Sequence, residues 1–286
     1  MTSSRTRLGV LGEFTRRQPH AAGAAIVFLL LVLAAVAAPL ITRFGPEEMM
    51  VIDRMQSPNA TYLLGTDHFG RDMLARVVYG ARISLRVGAL VVVFTTIAGL
   101  VIGAIAGYYR RMDGILMRIM DAMMAFPSIL LAIAIMSVLG RSEFNAVLAL
   151  TIVYIPGIAR LVRASVMSAK QLEFADAVRA MGGSDVRIIV RHVLPNILSP
   201  LVVQSTFIFV YAILAEAGLS FLGVGTPPSI PSWGNILSEG RQYMIDAPWI
   251  MLHPGLAVSL TVLCLNVIGD GLRDILDPRS AKGLPR

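Results

Sequence analysis

The sequence predicts an all-α membrane protein with six spanning helices, and three observations carry that prediction. Of the 286 residues, 56% are hydrophobic and 15% charged, where soluble domains carry roughly 25% charged residues; the mean hydropathy is +0.71. The apolar residues are gathered into six stretches, each long enough at ~1.5 Å per residue to cross about 30 Å of hydrocarbon. Lysine and arginine are distributed unevenly over the segments between them. With both termini on one side, the segments on that side hold 17 of the 25 basic residues and the opposite segments hold 8. The excess of basic residues places the richer side, with both termini, in the cytoplasm. The same distribution accounts for the net charge of +7 without nucleic acid as a partner.

Residues 1–20 form a basic cytoplasmic tail with Arg5, Arg7, Arg16 and Arg17. Residues 21–41 are uncharged and form the first span. Ala35-Val36-Ala37 resembles a signal cleavage site, but the apolar run exceeds the ~7–15 residues of a signal core, so an uncleaved anchor is the favoured reading. Residues 42–82 form an extracytoplasmic segment. In it Leu74, Val77, Val78 and Ala81 make one helical face, opposite Arg71, Arg76 and Arg82, which predicts a helix lying along the interface or on other helices, capped by Thr66 or Asp67. The second span runs from about Ile83 to Tyr109. Its Gly99, Gly103 and Gly107 recur every four residues, which lets a neighbouring helix approach closely.

The third span runs from about Ile115 to Gly140 and the fourth from about Phe144 to Val162, kinked at Pro127 and Pro156. Met117, Met120, Met123 and Met124 form a Met-rich side, read as packing filler in preference to a surface for substrate. The fifth span is Ile197–Leu222. A loop rich in Pro, Gly and Ser covers 223–248, and the sixth span is Trp249–Gly269, with Trp249 at an interface position. Asp270 and Arg273 at its end read as an interfacial pair, and residues 272–286 as a second cytoplasmic tail.

Between spans four and five lies a polar stretch, EFADAVRAMGGSDVRIIVRHVLPN, from Glu173 to Asn196. Phe174, Ala177, Val178 and Met181 fall on one face of a short helix. Gly182-Gly183 can stop that helix, Ser184 can cap a second one, and Pro195 ends or kinks the second. A helix–Gly–helix hairpin on the water side results, presenting a small apolar knob ringed by Glu173, Asp176 and Arg179. That shape suits a groove in another protein.

Several chemistries are excluded. A phosphate-binding Walker loop needs a Lys followed by Ser or Thr, but Lys170 precedes Gln171 and Lys282 precedes Gly283. No ATP site of that kind is present, and no nucleotide or metal cofactor is expected in this chain. His20, His68, His192 and His253 show no metal-ligand spacing, and no nucleophile–base constellation stands out. The single cysteine, Cys264, lies in an apolar run and reads as a small core residue. Ionisable groups within spans are functional candidates by default. Asp121, with Arg118 one turn back, and Glu216, placed near the outer boundary and partly solvated, are therefore pathway candidates, together with the kink at Pro127.

The loop resembles the cytoplasmic "EAA" loop of ABC importer permeases, in which Glu-Ala-Ala is followed after fixed intervals by Gly and by Leu-Pro. The matching positions are Asp176, Ala177, Val178, Gly182, His192, Leu194 and Pro195; Asp176, Val178 and His192 depart from the pattern, while the Gly and Leu-Pro spacing is kept. LLGTDHFGRDMLARVVYGARISL (Leu63–Leu85), MAFPSILLAI (Met124–Ile133), EAGLSFLGVG (Glu216–Gly225) and PSWGNIL (Pro231–Leu237) are similar to the "C"-type subunit of dipeptide, oligopeptide and nickel permeases. The resemblance implies the type I importer fold, with residues 83–271 as the permease core and 165–196 as the coupling loop. It implies a homologous second permease subunit, two ATPase domains that bind ATP and Mg, an extracytoplasmic solute-binding protein, and membrane lipid around the spans. Within the loop, Glu173, Phe174, Asp176, Ala177, Val178, Arg179, Met181, Gly182, Leu194 and Pro195 would dock on an ATPase domain. The cargo implied is a peptide, with nickel chelates or another peptide-like solute as the alternative.

Two readings compete. A self-sufficient secondary transporter would show an inverted repeat and a mid-membrane chain of ionisable groups, and a membrane enzyme would need a catalytic constellation. Neither pattern is evident. The outer segments Gly65–Arg82 and Gly225–Pro248, polar and aromatic, are expected to contact the solute-binding protein.

Overall fold

The computed structural model describes residues 18–170 and 194–276, and among them it is almost wholly helical, with no strand beyond one isolated bridge between Thr66 and Asp72. Eight helices matter here: α1 (Pro19–Val36), α2 (Met73–Tyr108), α3 (Arg110–Met124), α4 (Ser128–Leu139), α5 (Glu143–Lys170), α6 (Leu194–Phe221), α7 (Trp233–Gly240) and α8 (Trp249–Leu276). Five of them, α1, α2, α5, α6 and α8, are each long and apolar enough to cross a bilayer. The helices α3 and α4 pass the same test together but are bent by 95° at their junction, so the six-span expectation is met by five continuous spans and one broken one.

The helix expected to lie separately over Leu74–Arg82 is a correction: it is the first part of α2, which runs without interruption for 36 residues. Nothing in the sequence near Ile83 breaks the backbone ladder, and tertiary contacts pull the start inward. The cap is Asp72 in place of Thr66 or Asp67; its carboxylate accepts from the amides of Leu74 and Ala75, at the positive end of the helix dipole. Arg76, on the face opposite Leu74, Val77, Val78 and Ala81, is only 1% exposed.

The glycine pattern does what its spacing predicts. Helices α2 and α5 run side by side in the same direction. A methyl group at Gly99 would lie 2.5 Å from the Ile158 side chain, and one at Gly103 would lie 2.4 Å from the Ala159 carbonyl oxygen. Only hydrogen at these positions lets the two backbones meet. Farther along, Lys170 Nζ donates to the carbonyl of Tyr108 at 2.6 Å, which ties the last turns of both helices. The main core forms around this seam, from Val87, Val91, Leu150, Ile158 and Val162, with Ile208 and Leu219 of α6 closing it.

The remaining spans wrap this pair. Helix α1 packs on α8 and α2, and α8 packs on α6. Gln18, just before α1, donates to Asp274 near the end of α8 at 3.0 Å, so the two described ends of the chain meet on one side of the bundle. Asp270 and Arg273 do not pair with each other among the described residues, against the expectation; the acid engaged at this end is Asp274. Large apolar side chains such as Leu29, Leu30 and Leu33 of α1 are more than half exposed, as suits a lipid-facing helix.

Candidate functional site

Three parts of the molecule bear on function, and the first is the loop that the sequence places at the centre. Glu173, Phe174, Asp176, Ala177, Val178, Arg179, Met181 and Gly182 lie outside the described residues. Leu194 and Pro195 are described, and they open α6.

The second part is a polar cap that joins the two outer segments. Asp67 Oδ2 accepts from Arg71 Nε at 2.6 Å and from Arg76 Nη1 at 2.5 Å. Glu239 of α7 takes the other side of both arginines, at 2.5 Å from Arg71 Nη2 and 2.7 Å from Arg76 Nη1. Two positive and two negative charges thus balance in a largely water-free place, the arrangement a buried charge requires. Burial alone would push the Asp67 carboxyl up, but the Arg76 and Arg71 charges and two backbone amides hold it below its ordinary value. Beside it, burial pushes the His68 imidazole down, and the ring stacks on Tyr243 with centroids 4.8 Å apart. Folding brings donor atoms of Asp67, His68 and Glu239 within 4.8 Å of one another, which no spacing in the sequence showed. Both carboxylates of that group are already held by the two arginines.

Both tryptophans lock the cap to the spans: Trp233 Nε1 donates to the Val77 carbonyl and Trp249 Nε1 to the Thr66 carbonyl, each at 3.0 Å. Glu216 anchors its underside. The sequence placed this acid in partial contact with water; it is instead fully buried, because α7 and the preceding loop fold back over it. Its carboxylate accepts from Ser84 Oγ at 3.0 Å and from Ser220 Oγ at 2.9 Å. Ser84 in turn receives the Trp233 amide, and Ser220 continues through Thr226 to Ser232 and Asn235. Gly225 and Gly234 make the fold-back possible, since a methyl at either would come within 2.5 Å of Ser220 Oγ or the Ala217 carbonyl. Glu216 therefore joins α2, α6 and α7 and lines no open path in this structure. The EAGLSFLGVG and PSWGNIL stretches, five residues apart in the chain, are the two halves of this one network, and Ser84 joins them from far upstream.

The third part is the break between α3 and α4. Pro127 lies at the junction, as the N-cap of α4, whose first turn has no side-chain cap. The bend opens a cavity of about 360 Å³ lined by Met123, Met124 and Ser128 on one side and by Tyr154, Gly157, Gln204 and Tyr211 on the other. Two of the four methionines read as packing filler thus face a cavity, while Met120 is buried. Asp121 lies one turn before Met124. Its partner is Arg160 of α5, at 2.5 Å, and not Arg118, since α3 packs along α5. A second ion pair, Asp113 with Arg163, joins the same two helices. Of the pathway candidates, Pro127 stands at this cavity, Asp121 beside it, and Glu216 elsewhere.

This is a multi-span helical protein whose core is a glycine-seamed helix pair, a broken span and a folded cap. The solved inward-facing MetNI methionine ABC transporter, in its CY5 native crystal form, contains a chain of the same fold: TM-score 0.58 over 72% of this chain and 98% of that one, at 20% identity. Residues 99–282 match the family model for the inner membrane component of binding-protein-dependent transport systems, and the chain belongs to that family. It is 54% identical to a Brucella suis biovar 1 protein provisionally named a peptide transport system permease, over 89% of this chain and 86% of the relative. It is 49% identical to the dipeptide transport system permease protein DppC of Alkalihalophilus pseudofirmus, over 89% and 84%. Identity to the glutathione transport system permease protein GsiD of Escherichia coli O6:K15:H31 is 42%, over 92% and 88%. The chain is thus a multi-pass inner-membrane permease subunit of an ABC importer.

Proposed function

We propose that this chain forms half of the translocation pathway of an ATP-driven importer for short peptides, paired with a homologous second permease. The observation that carries the reading is the set of relatives named for peptide, dipeptide and di/tripeptide transport, 41–54% identical over about nine-tenths of the chain. ATP and Mg bind to two partner ATPase domains, in keeping with the lack of a Walker loop here. Loop 165–196 docks in a cleft of one ATPase domain, and closure of the ATPase pair biases the spans between inward- and outward-open states. The excess of basic residues puts this loop and both termini in the cytoplasm.

The cap then lies on the delivery side and receives the solute-binding protein. It carries exposed apolar side chains for a partner, notably Ile52 and Ile245, each 92% exposed. Deleting Pro228–Trp233 would weaken docking, but it would also remove Ser232 and Trp233 from the buried network. Ile245→Asp tests the surface with less disturbance: docking affinity should fall while the subunit still assembles.

The deciding experiment is mild affinity purification from native membranes followed by uptake of a labelled dipeptide into liposomes. Co-purification of a second permease and ATPase subunits, with ATP-dependent uptake, supports the reading. Recovery of this chain alone, with uptake driven by an ion gradient, replaces it with a secondary transporter. Gly182→Arg, which sets a bulky charge at the turn of the loop, should abolish uptake in a complex that still assembles. A glutathione or nickel-chelate cargo is the alternative outcome, read from the ligand eluted with the binding protein.

A further inference from the structure

We infer that the cavity at the α3–α4 break is a transit subsite that holds the cargo by its peptide amides, with Gln204 as the residue that reads them. The inference rests on the peptide reading above and adds the site and the chemistry of recognition. The cavity is of ligand-binding size, since such sites begin at roughly 300 Å³, and it is built from four helices that converge where the chain leaves its helical path.

Its lining is unusual for the middle of a membrane protein. Gln204 lies about ten residues into α6, and its side chain has no hydrogen-bond partner among the described residues. The residue is half-buried, and an amide left unpaired away from water is costly, so this position suits a polar occupant, water or a polar group of a partner permease. Gly157 faces it and leaves the space open: the nearest atom to a methyl there would be Gln204 Nε2 at 4.0 Å. The Tyr154 hydroxyl donates to the Tyr211 carbonyl at 3.2 Å, which leaves its own oxygen free to accept. A carboxamide presents both a donor and an acceptor, the complement of a peptide group, which presents the same two. Met123 and Met124 supply adaptable apolar contact that accepts side chains of many shapes.

No charged side chain lines the cavity. The nearest charges, Asp121 and Arg160, satisfy each other beside it. The site therefore reads the main chain common to all peptides, and one or two neutral hydrogen bonds hold the cargo weakly enough to release it. A second groove, between α2 and α5, shows the contrast. Phe94, Ile97, Phe144 and Leu148 line it, it offers scarcely a polar atom, and it suits a lipid chain.

The test uses the complete transporter, with its partner subunits and binding protein, in liposomes. A dipeptide carrying a benzophenone side chain is supplied with ATP and illuminated during turnover, and adducts are located by proteolysis and mass spectrometry. Adducts at Met123 or Met124 that excess unlabelled dipeptide removes are expected. Gln204→Leu should raise the half-saturating peptide concentration about five- to tenfold, the worth of one neutral hydrogen bond. Gln204→Asn, which keeps the amide, should retain most of the affinity and controls for misfolding. Uptake with adducts confined to other helices, or unchanged saturation in Gln204→Leu, overturns the subsite and leaves the peptide reading standing. No dipeptide uptake by the unsubstituted transporter overturns the peptide reading, and the subsite with it.

Discussion

At the cap, Asp67, Arg71, Arg76 and Glu239 share four ion-pair contacts, and the two arginines and Asp67 are all less than 10% exposed. At the far end of α5, Arg160 and Asp121 form one contact with side chains 45% and 60% exposed, and Arg163 pairs with Asp113 at 31% and 22%. The residue types are the same in both regions, but the physics differs. In the cap Asp67, Arg71 and Arg76 depend on their partners because water cannot replace them, while Glu239, 20% exposed, closes the cluster at its rim. On the α3–α5 face water can replace either partner, so the pairs cost little to break. The cap is thus costly to open, and the α3–α5 face is cheap to open.

The largest test of that contrast is Arg76→Met, which leaves Asp67 and Glu239 short of a buried partner. It should destabilise the cap by about 3–5 kcal/mol. Both tryptophans of the chain sit in or against the cap, so thermal unfolding followed by their fluorescence reports the loss directly. An unchanged midpoint would mean that the cluster is hydrated in the membrane. Next comes Gly103→Leu, whose first side-chain carbon alone meets the Ala159 carbonyl at 2.4 Å. It should cost at least the roughly 1–3 kcal/mol of an overpacked core. Gly114→Ala, inside α3 with open space around it, should cost nothing and raise the midpoint slightly, since alanine favours a helix interior by about 0.5–1 kcal/mol.

Acidity sharpens the comparison in a known direction. His68 has its folded value pushed below the ordinary 6.5 by burial. The unfolded chain then takes up the proton first, so cap stability is full above about 6.5 and declines as pH falls below it. Asp67, held below its ordinary 3.8, contributes stability that is present above that value and is lost only at still lower pH. A tryptophan-monitored midpoint that rises on mild acidification would contradict the His68 environment, and His68→Phe should flatten the mild-acid part of the profile. Among the charge removals the smallest effect is expected from Arg160→Ala: no more than about 1 kcal/mol of stability. A loss as large as that of Arg76→Met would erase the distinction between the two regions.

The six-span plan was legible in the sequence because a bilayer demands long apolar helices, and length with composition reports that directly. The glycine seam was legible for a similar reason: small residues four apart mark a helix face whatever lies against it. The unbroken run of α2 was hidden, because arginines on a helix look solvated until Asp67 and Glu239, one of them far along the chain, are brought to them. Glu216 was misplaced on the same ground, since depth within a span says nothing about what folds over its end. The partner of Asp121 was hidden because Arg160, 39 residues on, reaches it only through the packing of α3 on α5. Local pattern therefore determined which segments cross the membrane and which helix faces meet. Only the tertiary structure decided which polar groups meet, because a buried charge or amide is satisfied by whatever the fold carries to it, from any distance in sequence.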